Sequence, residues 1–320
     1  MKKYIGTVIT VIVVLALVVL GFIFSGYSLN ETQKSALLVL LIICGSSALY
    51  CFLVGELTRN NSQMDKLWSL LPIAYTWVIA GYSHFQFRTT AFAVIVTLWG
   101  IRLTANFARK GAYTLKFWSG EEDYRWQVLR GNKWLKNRFA WAMFDLFFIS
   151  IYQNALVLAI CLPSLMCIDS IAAIGVFDYL AIGLSVGFLL IESIADEQQM
   201  AFHTTKRRML SEGKKLEELP EPYNKGFNTT GLWSYSRHPN YLGEQGIWLC
   251  LYLFVIASGV CSYYIFHWSM VGPLLLILLF LGSSAFQEGV SSGKYPEYSL
   301  YLAHVSKYIP FRKYRPERYK

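Results

Sequence analysis

The sequence predicts an all-α, polytopic membrane bundle of about eight transmembrane helices with both termini in the cytoplasm. Hydrophobic residues make up 55% of the 320 and charged residues only 15%, where a soluble domain carries roughly a quarter charged. Apolar runs recur along the chain at the length a helix needs to cross hydrocarbon, about 20 residues. The cations are distributed as a membrane topology requires. With the N-terminus inside, 26 of the 29 Lys and Arg fall in cytoplasmic segments, Lys34 and Arg88 fall outside, and Arg102 lies within a span.

The expected spans are 4–24, 36–54, 67–82, 89–107, 139–161, 171–193, 241–258 and 263–282. The first follows Met1-Lys2-Lys3. It is too long for a signal-peptide core and no small-residue cleavage site follows, so it reads as a retained helix. The third is short, with Pro72 near its start, where the first turn has free N–H groups anyway. Arg102 in the fourth span and Asp145 in the fifth are ionisable groups at membrane depth, which read as functional unless they snorkel. Gln153 and Asn154 lie deeper and read as glue between helices.

Three cytoplasmic segments exceed simple turns. Residues 108–138 mix Trp118, Tyr124, Trp126 and Trp134 with many charges and read as an interfacial amphipathic piece. Residues 195–239 and the tail from Lys294 to Lys320 are the other two, and long segments of this kind are usually functional. The net charge of +9 is explained by positive residues facing an anionic leaflet or a phosphate-bearing ligand. No nucleic-acid module is present, so nucleic acid is not an expected partner. The six cysteines form no C-x-x-C pair and have no His at ligand spacing. They read as buried thiols, with no metal site.

The soluble nucleotide and zinc-protease motifs are absent. The richest polar block is Gly231 to Glu244, at the entry to the seventh span. Pro239 suits the first turn of that helix, and its free N–H groups and positive dipole end form an anion site. Arg237 adds a planar fork for phosphate, His238 a hydrogen bond. Asn240 and Glu244 lie four apart, on one face. The competing reading is a well-capped helix with a snorkelling arginine. Glu192 and Asp196 are also four apart, and like charges at that spacing call for a cation, a hydroxyl-rich ligand or a raised pKa. Asp65, in Ser62–Trp68, and the run Trp99–Asn106 with Arg109-Lys110-Gly111 complete the candidates. For Asp65 the plain alternative is a carboxylate favoured by a helix dipole.

The blocks Ser62–Trp68, Arg102–Gly111, Ala195–Gln198, Gly231–Glu244 and Gly293–Tyr298, in that order, resemble the steroid 5-alpha-reductase family, most closely its bacterial membrane-protein branch. The similarity covers about residues 60 to 311, which divides the chain into N-terminal helices (1–58) and a reductase-like membrane domain (59–320). The resemblance implies NADPH bound from the cytoplasm and reduction of a carbon–carbon double bond conjugated to a carbonyl. Carried over by position, Asn240, Glu244 and Asp196 match the family's cofactor-binding Asn, Glu and Asp, and Arg102 a cofactor-contacting Arg. Glu192 falls where the steroid enzymes have Asn, and Asp65 near their catalytic Glu. Tyr235, Tyr241 and Asn106 lie within the matching blocks and join the expected cofactor set with Arg237 and His238. Trp99 stands where the family has a Tyr, and Ser284 where it has an Arg. An indole donates a hydrogen bond but is not a proton-transfer acid.

The expectation is an integral membrane oxidoreductase in a bacterial cytoplasmic membrane. It would reduce a lipophilic, steroid- or lipid-like enone with NADPH, with Asp65, assisted by Trp99 or a neighbouring Tyr, donating to the carbonyl oxygen. The alternative is an S-adenosylmethionine-dependent methyltransferase of the isoprenylcysteine or phospholipid type, which carries a similar Arg-His-Pro-x-Tyr string.

Overall fold

A computed structural model describes residues 2–25, 28–261 and 265–315. The described residues form helices and connecting segments; the one β-bridge pairs Ser236 with Ser306. The helices are α1 (Lys2–Ser25), α2 (Glu31–Thr58), α3 (Gln63–Leu67), α4 (Leu70–Tyr82), α5 (Phe87–Ala108), α6 (Tyr124–Arg130), α7 (Arg138–Phe144), α8 (Gln153–Ala159), α9 (Leu162–Met166), α10 (Val176–Ser211), α11 (Pro239–Leu251), α12 (Leu253–Ala257), α13 (Val271–Lys294) and α14 (Tyr298–His304). Among the described residues, five helical stretches are long and apolar enough to cross a membrane: Glu31–Thr58, Phe87–Ala108, Arg138–Met166, Val176–Ser211 and Trp268–Lys294. The chain divides into two compact units. One comprises residues 1–182 and 250–276, the other 183–249 and 277–320.

In the first unit, α2 opens on a reciprocal cap: Asn30 Oδ1 accepts from Gln33 N at 2.8 Å, and Gln33 Oε1 accepts from Asn30 N at 3.1 Å. Leu38, Ile42, Leu49 and Leu53 on α2 stay exposed, which suits a helix whose solvent is lipid. Helices α4 and α5 form a hairpin so close that a Cβ on Gly100 would fall 2.6 Å from the Ser69 carbonyl oxygen, and Ser69 and Thr104 bond across it at 2.7 Å. Between α7 and α8 the helix widens into a π-turn over Asp145–Tyr152. Asp145, fully inside, accepts from Asn61 Nδ2 at 2.7 Å and Ser150 Oγ at 3.3 Å, partners that no local spacing suggested. Asn154 donates to the Ser150 carbonyl at 2.7 Å and reaches Cys51 Sγ on α2 at 3.8 Å.

Boundaries differ from the sequence expectation where polarity and helicity part company. The stretch expected to end at 193 continues as helix to Ser211, because Glu192–Ser211 is rich in unbranched helix formers although too charged for lipid. The seventh expected span, 241–258, is interrupted at Tyr252, and the eighth begins at residues outside the described set. All six cysteines are free, four of them buried.

Candidate functional site

The second unit carries most of the polar block. Here α10 and α11 touch through a missing side chain: a Cβ on Gly243 would lie 2.6 Å from Glu192 Cβ and 2.9 Å from its backbone N. Glycine alone permits that approach, and it brings the Glu192–Asp196 acid face of α10 to the Asn240–Glu244 amide–acid face of α11. Asn240 Nδ2 donates to Asp196 Oδ1 at 3.2 Å. Glu192 is buried on the same α10 face one turn earlier, and Glu244 is buried one turn beyond Asn240. The Asn240 Oδ1 atom is itself buried and has no hydrogen-bond partner, so it can still receive a donor.

The loop before α11 is held from both sides. Gln198 Oε1 accepts from Leu232 N at 2.8 Å, and Trp233 Nε1 donates to the Ala195 carbonyl at 3.0 Å, tying the loop to α10. On the other side the tail lies against the loop: Arg237 N donates to Ser306 O at 2.9 Å, His238 N to Lys307 O at 3.1 Å, and Tyr314 N to Ser234 O at 2.7 Å. Tyr301 Oη donates to the Trp233 carbonyl at 2.5 Å from within an aromatic cluster of Phe227, Tyr298 and Tyr314.

Arg237 turns its fork inward. Its Nε donates to Glu288 Oε1 at 2.8 Å, and Nη1 donates to the carbonyls of Leu302, at 3.1 Å, and Val305. His238 Nε2 lies 3.0 Å from the same Glu288 oxygen, its ring stacked on Tyr241, and Lys307 Nζ is 3.9 Å from Oε2. Tyr241 also packs on Phe280, with centroids 4.4 Å apart, and accepts from Gln287 Nε2 at 2.5 Å. Tyr235 remains exposed, with Lys313 Nζ over its ring at 6.0 Å. Ser284 is buried and bonds the Tyr308 hydroxyl at 2.8 Å.

Burial pushes the His238 imidazole below the usual histidine range, although Glu288 pulls the other way. Charging it therefore costs more in the folded chain than in the unfolded one. This stability contribution is complete above the ordinary value of 6.5 and is lost as pH falls from there through the lower folded value. The melting temperature is expected to fall as pH drops below the ordinary value of 6.5, less steeply in His238→Gln. Parallel pH profiles for the two proteins would exclude His238 as the source.

The first unit holds the remaining candidates. Asp65 accepts from Trp126 Nε1 at 2.7 Å and from Arg125 Nη2 at 3.2 Å. Burial pushes its carboxyl above the usual range against the pull of Arg125. Burial raises the half-buried Asp123 too, but it shares Arg125 and caps α6, and those contacts hold it low. Trp99 is wholly buried in α5. Arg102 is half-buried one turn before Asn106, which is buried and accepts from Arg109 at 3.3 Å.

The structure thus joins Asp196 to Asn240 and sets Gly243 against Glu192. Sequence reasoning did not find Glu288, Lys307, Arg125 or Trp126. An acid on an apolar helix was the available signal for Glu288, but the expected span ended at 282 and left it between the span and the tail.

Comparison with known proteins gives a family rather than an activity. A family described as "Protein of unknown function (DUF1295)" matches residues 51–305, a range that contains both the Asp65 and the Asn240 neighbourhoods. Uncharacterized protein C594.04c of the fission yeast Schizosaccharomyces pombe is 33% identical over 270 residues, 80% of this chain and 74% of that protein. No solved structure matches significantly. With most of its length matched, the chain belongs to the DUF1295 family.

Proposed function

We propose that the chain is an NADPH-dependent membrane reductase acting on a carbon–carbon double bond conjugated to a carbonyl in a lipophilic, steroid- or lipid-like substrate. The proposal includes a topology of seven or eight spans, cytoplasmic termini and a bacterial cytoplasmic membrane. The observation that carries it is the Asp196–Asn240 pair with its buried, unpartnered amide oxygen, beside Gly243 and Glu192. Support also comes from the order of the five sequence blocks that resemble the steroid 5-alpha-reductases.

The donor set fits a dinucleotide. Asn240 Oδ1 can accept from a carboxamide N–H or a ribose hydroxyl, and the Asp196 carboxylate accepts a hydroxyl. Pro239 and the first turn of α11 leave N–H groups for a phosphate. Arg237 serves the loop rather than the ligand: with its fork on Glu288 and two carbonyls, it fixes the backbone that presents Asn240. NADPH, when bound, supplies a hydride, and the protein's part is to orient it and exclude water. Asp65, pushed toward its protonated form by burial, is the residue assigned to donate to the substrate carbonyl.

Thermal stability of the purified protein tests this reading. NADPH at 100 times its Kd is expected to stabilise by about 2.7 kcal/mol, with no effect of S-adenosylmethionine. Asn240→Ala is expected to weaken NADPH binding about tenfold, the loss of one good hydrogen bond. Protection by S-adenosylmethionine alone would replace the reductase with a methyltransferase, and unchanged NADPH affinity in Asn240→Ala would remove this residue from the site.

A further inference from the structure

The segment joining α5 to α7 has an uneven charge economy. Residues 108–138 carry eight Lys and Arg and three acids. Two of the acids are satisfied within the unit: Glu122 pairs with Arg130, and Asp123 pairs with Arg125 at 2.8 Å, the four side chains being largely or mostly covered. Lys116, Lys133 and Lys136 stay exposed, with no ion pair among the described residues. Arg138 is exposed and lies 3.6 Å from Glu56. Pairing therefore takes up two of the three acids together with two arginines, and Glu121 stays exposed among the remaining cations.

The same segment displays large apolar groups. Leu115 is 109% exposed, Trp134 76% and Phe139 73%. Lys133 Nζ lies 5.1 Å from the Trp134 ring, so cation and aromatic share one patch. Phe139 is fixed in place because Asn137 Oδ1 caps α7, accepting from Phe139 N at 2.8 Å and Ala140 N at 3.3 Å. Two of the helices long enough to cross a membrane end and begin here, at Ala108 and Arg138. The segment therefore lies between the ends of two candidate spans.

We propose that this surface docks anionic phospholipid, with Lys116, Lys133 and Lys136 meeting phosphodiester headgroups and Leu115, Trp134 and Phe139 resting among the upper acyl carbons. Charge complementarity selects the occupant: unpaired lysines near an anionic leaflet each gain attraction within a Debye length. The apolar residues select lipid over free phosphate, because a soluble anion would leave all three in water. An acidic protein would match the lysines, but the position at the ends of two candidate spans favours the bilayer.

The test uses the full chain, delipidated in detergent, with phosphatidylglycerol and phosphatidylcholine competing for retention by native mass spectrometry. Wild type is expected to retain phosphatidylglycerol about tenfold over phosphatidylcholine at low salt, with the preference shrinking as salt rises. Lys116→Gln/Lys133→Gln/Lys136→Gln is expected to bring the two lipids to parity while leaving helicity unchanged, because all three side chains are exposed. Trp134→Ser/Phe139→Ser should weaken retention of both lipids, and glycerol phosphate should not displace either. The proposal is overturned if the triple variant keeps the wild-type preference, if wild type shows none, or if glycerol phosphate competes as well as the lipid.

Discussion

Arg88→Met is expected to destabilise the protein by roughly 3–5 kcal/mol, the cost of leaving a buried charge without its partner. Every N–H of the guanidinium is used. Nε donates to Asp178 Oδ1 at 2.8 Å, and Nη2 to Asp178 Oδ2 at 3.0 Å and the Ala173 carbonyl at 2.8 Å. Nη1 donates to Ser170 Oγ at 2.9 Å and the Ala172 carbonyl at 2.8 Å. The side chains of Arg88 and Asp178 are 6% and 0% exposed, so water cannot replace a lost partner. The pair also organises its surroundings: Asp178 Oδ2 accepts from Gly175 N at 2.9 Å, and Ser170 Oγ donates to Ser258 O at 3.0 Å. Against total stabilities of about 5–15 kcal/mol, such a loss is a large fraction. A fall of about 10 °C in melting temperature is expected. Arg88→Lys should fall between, since an ammonium cannot reproduce the fork. Arg88→Met with Asp178→Leu should recover most of the loss, because two apolar groups leave no charge stranded. A single Arg88→Met variant melting with wild type would mean that the pair contributes little.

Arg88 also marks where sequence reading stops. Its place between two apolar runs was legible, but Asp178 lies 90 residues away and no spacing rule connects them. The α2 span was legible because apolar length is local, although the expected 36–54 stopped short of the full helix Glu31–Thr58, which the Asn30–Gln33 cap starts earlier. The i,i+4 faces of Glu192–Asp196 and Asn240–Glu244 were legible for the same reason. Their meeting was not, because it depends on Gly243 admitting the backbone of α10, a contact between residues 51 apart. The long α10 was misjudged at its end because hydropathy measures fitness for lipid, whereas a helix persists through charged residues of good propensity. Arg237 shows the same limit: its chemistry suggested phosphate, and three partners drawn from α13 and the tail decided otherwise.

Glu288→Ala is expected to release the tail from the loop before α11. The Glu288 carboxylate is shared by Arg237, His238 and Lys307, and the four side chains are between 6% and 25% exposed. Removing it leaves Arg237 largely covered, with only carbonyl acceptors, at a cost of about 3 kcal/mol. That energy falls on the junction of loop and tail, where the backbone bonds from Arg237 and His238 to Ser306 and Lys307 are few. Local opening should therefore rise before global unfolding does. Tryptic cleavage after Lys307, Arg312 and Lys313 is the readout, because cleavage follows the open population when reclosing is fast. About 3 kcal/mol corresponds to a rate increase on the order of 100-fold. Glu288→Gln keeps an oxygen for Arg237 Nε and His238 Nε2 but loses the charge, so its cleavage rate should lie between wild type and Glu288→Ala. Equal rates in wild type and Glu288→Ala would show that the aromatic cluster of Phe227, Tyr298 and Tyr301 holds the tail by itself. NADPH affinity measured on the same variant then separates two roles. A tail that opens while affinity is kept makes Glu288 a fastening of the fold, whereas joint loss makes the strapped loop part of what presents Asn240 to its ligand.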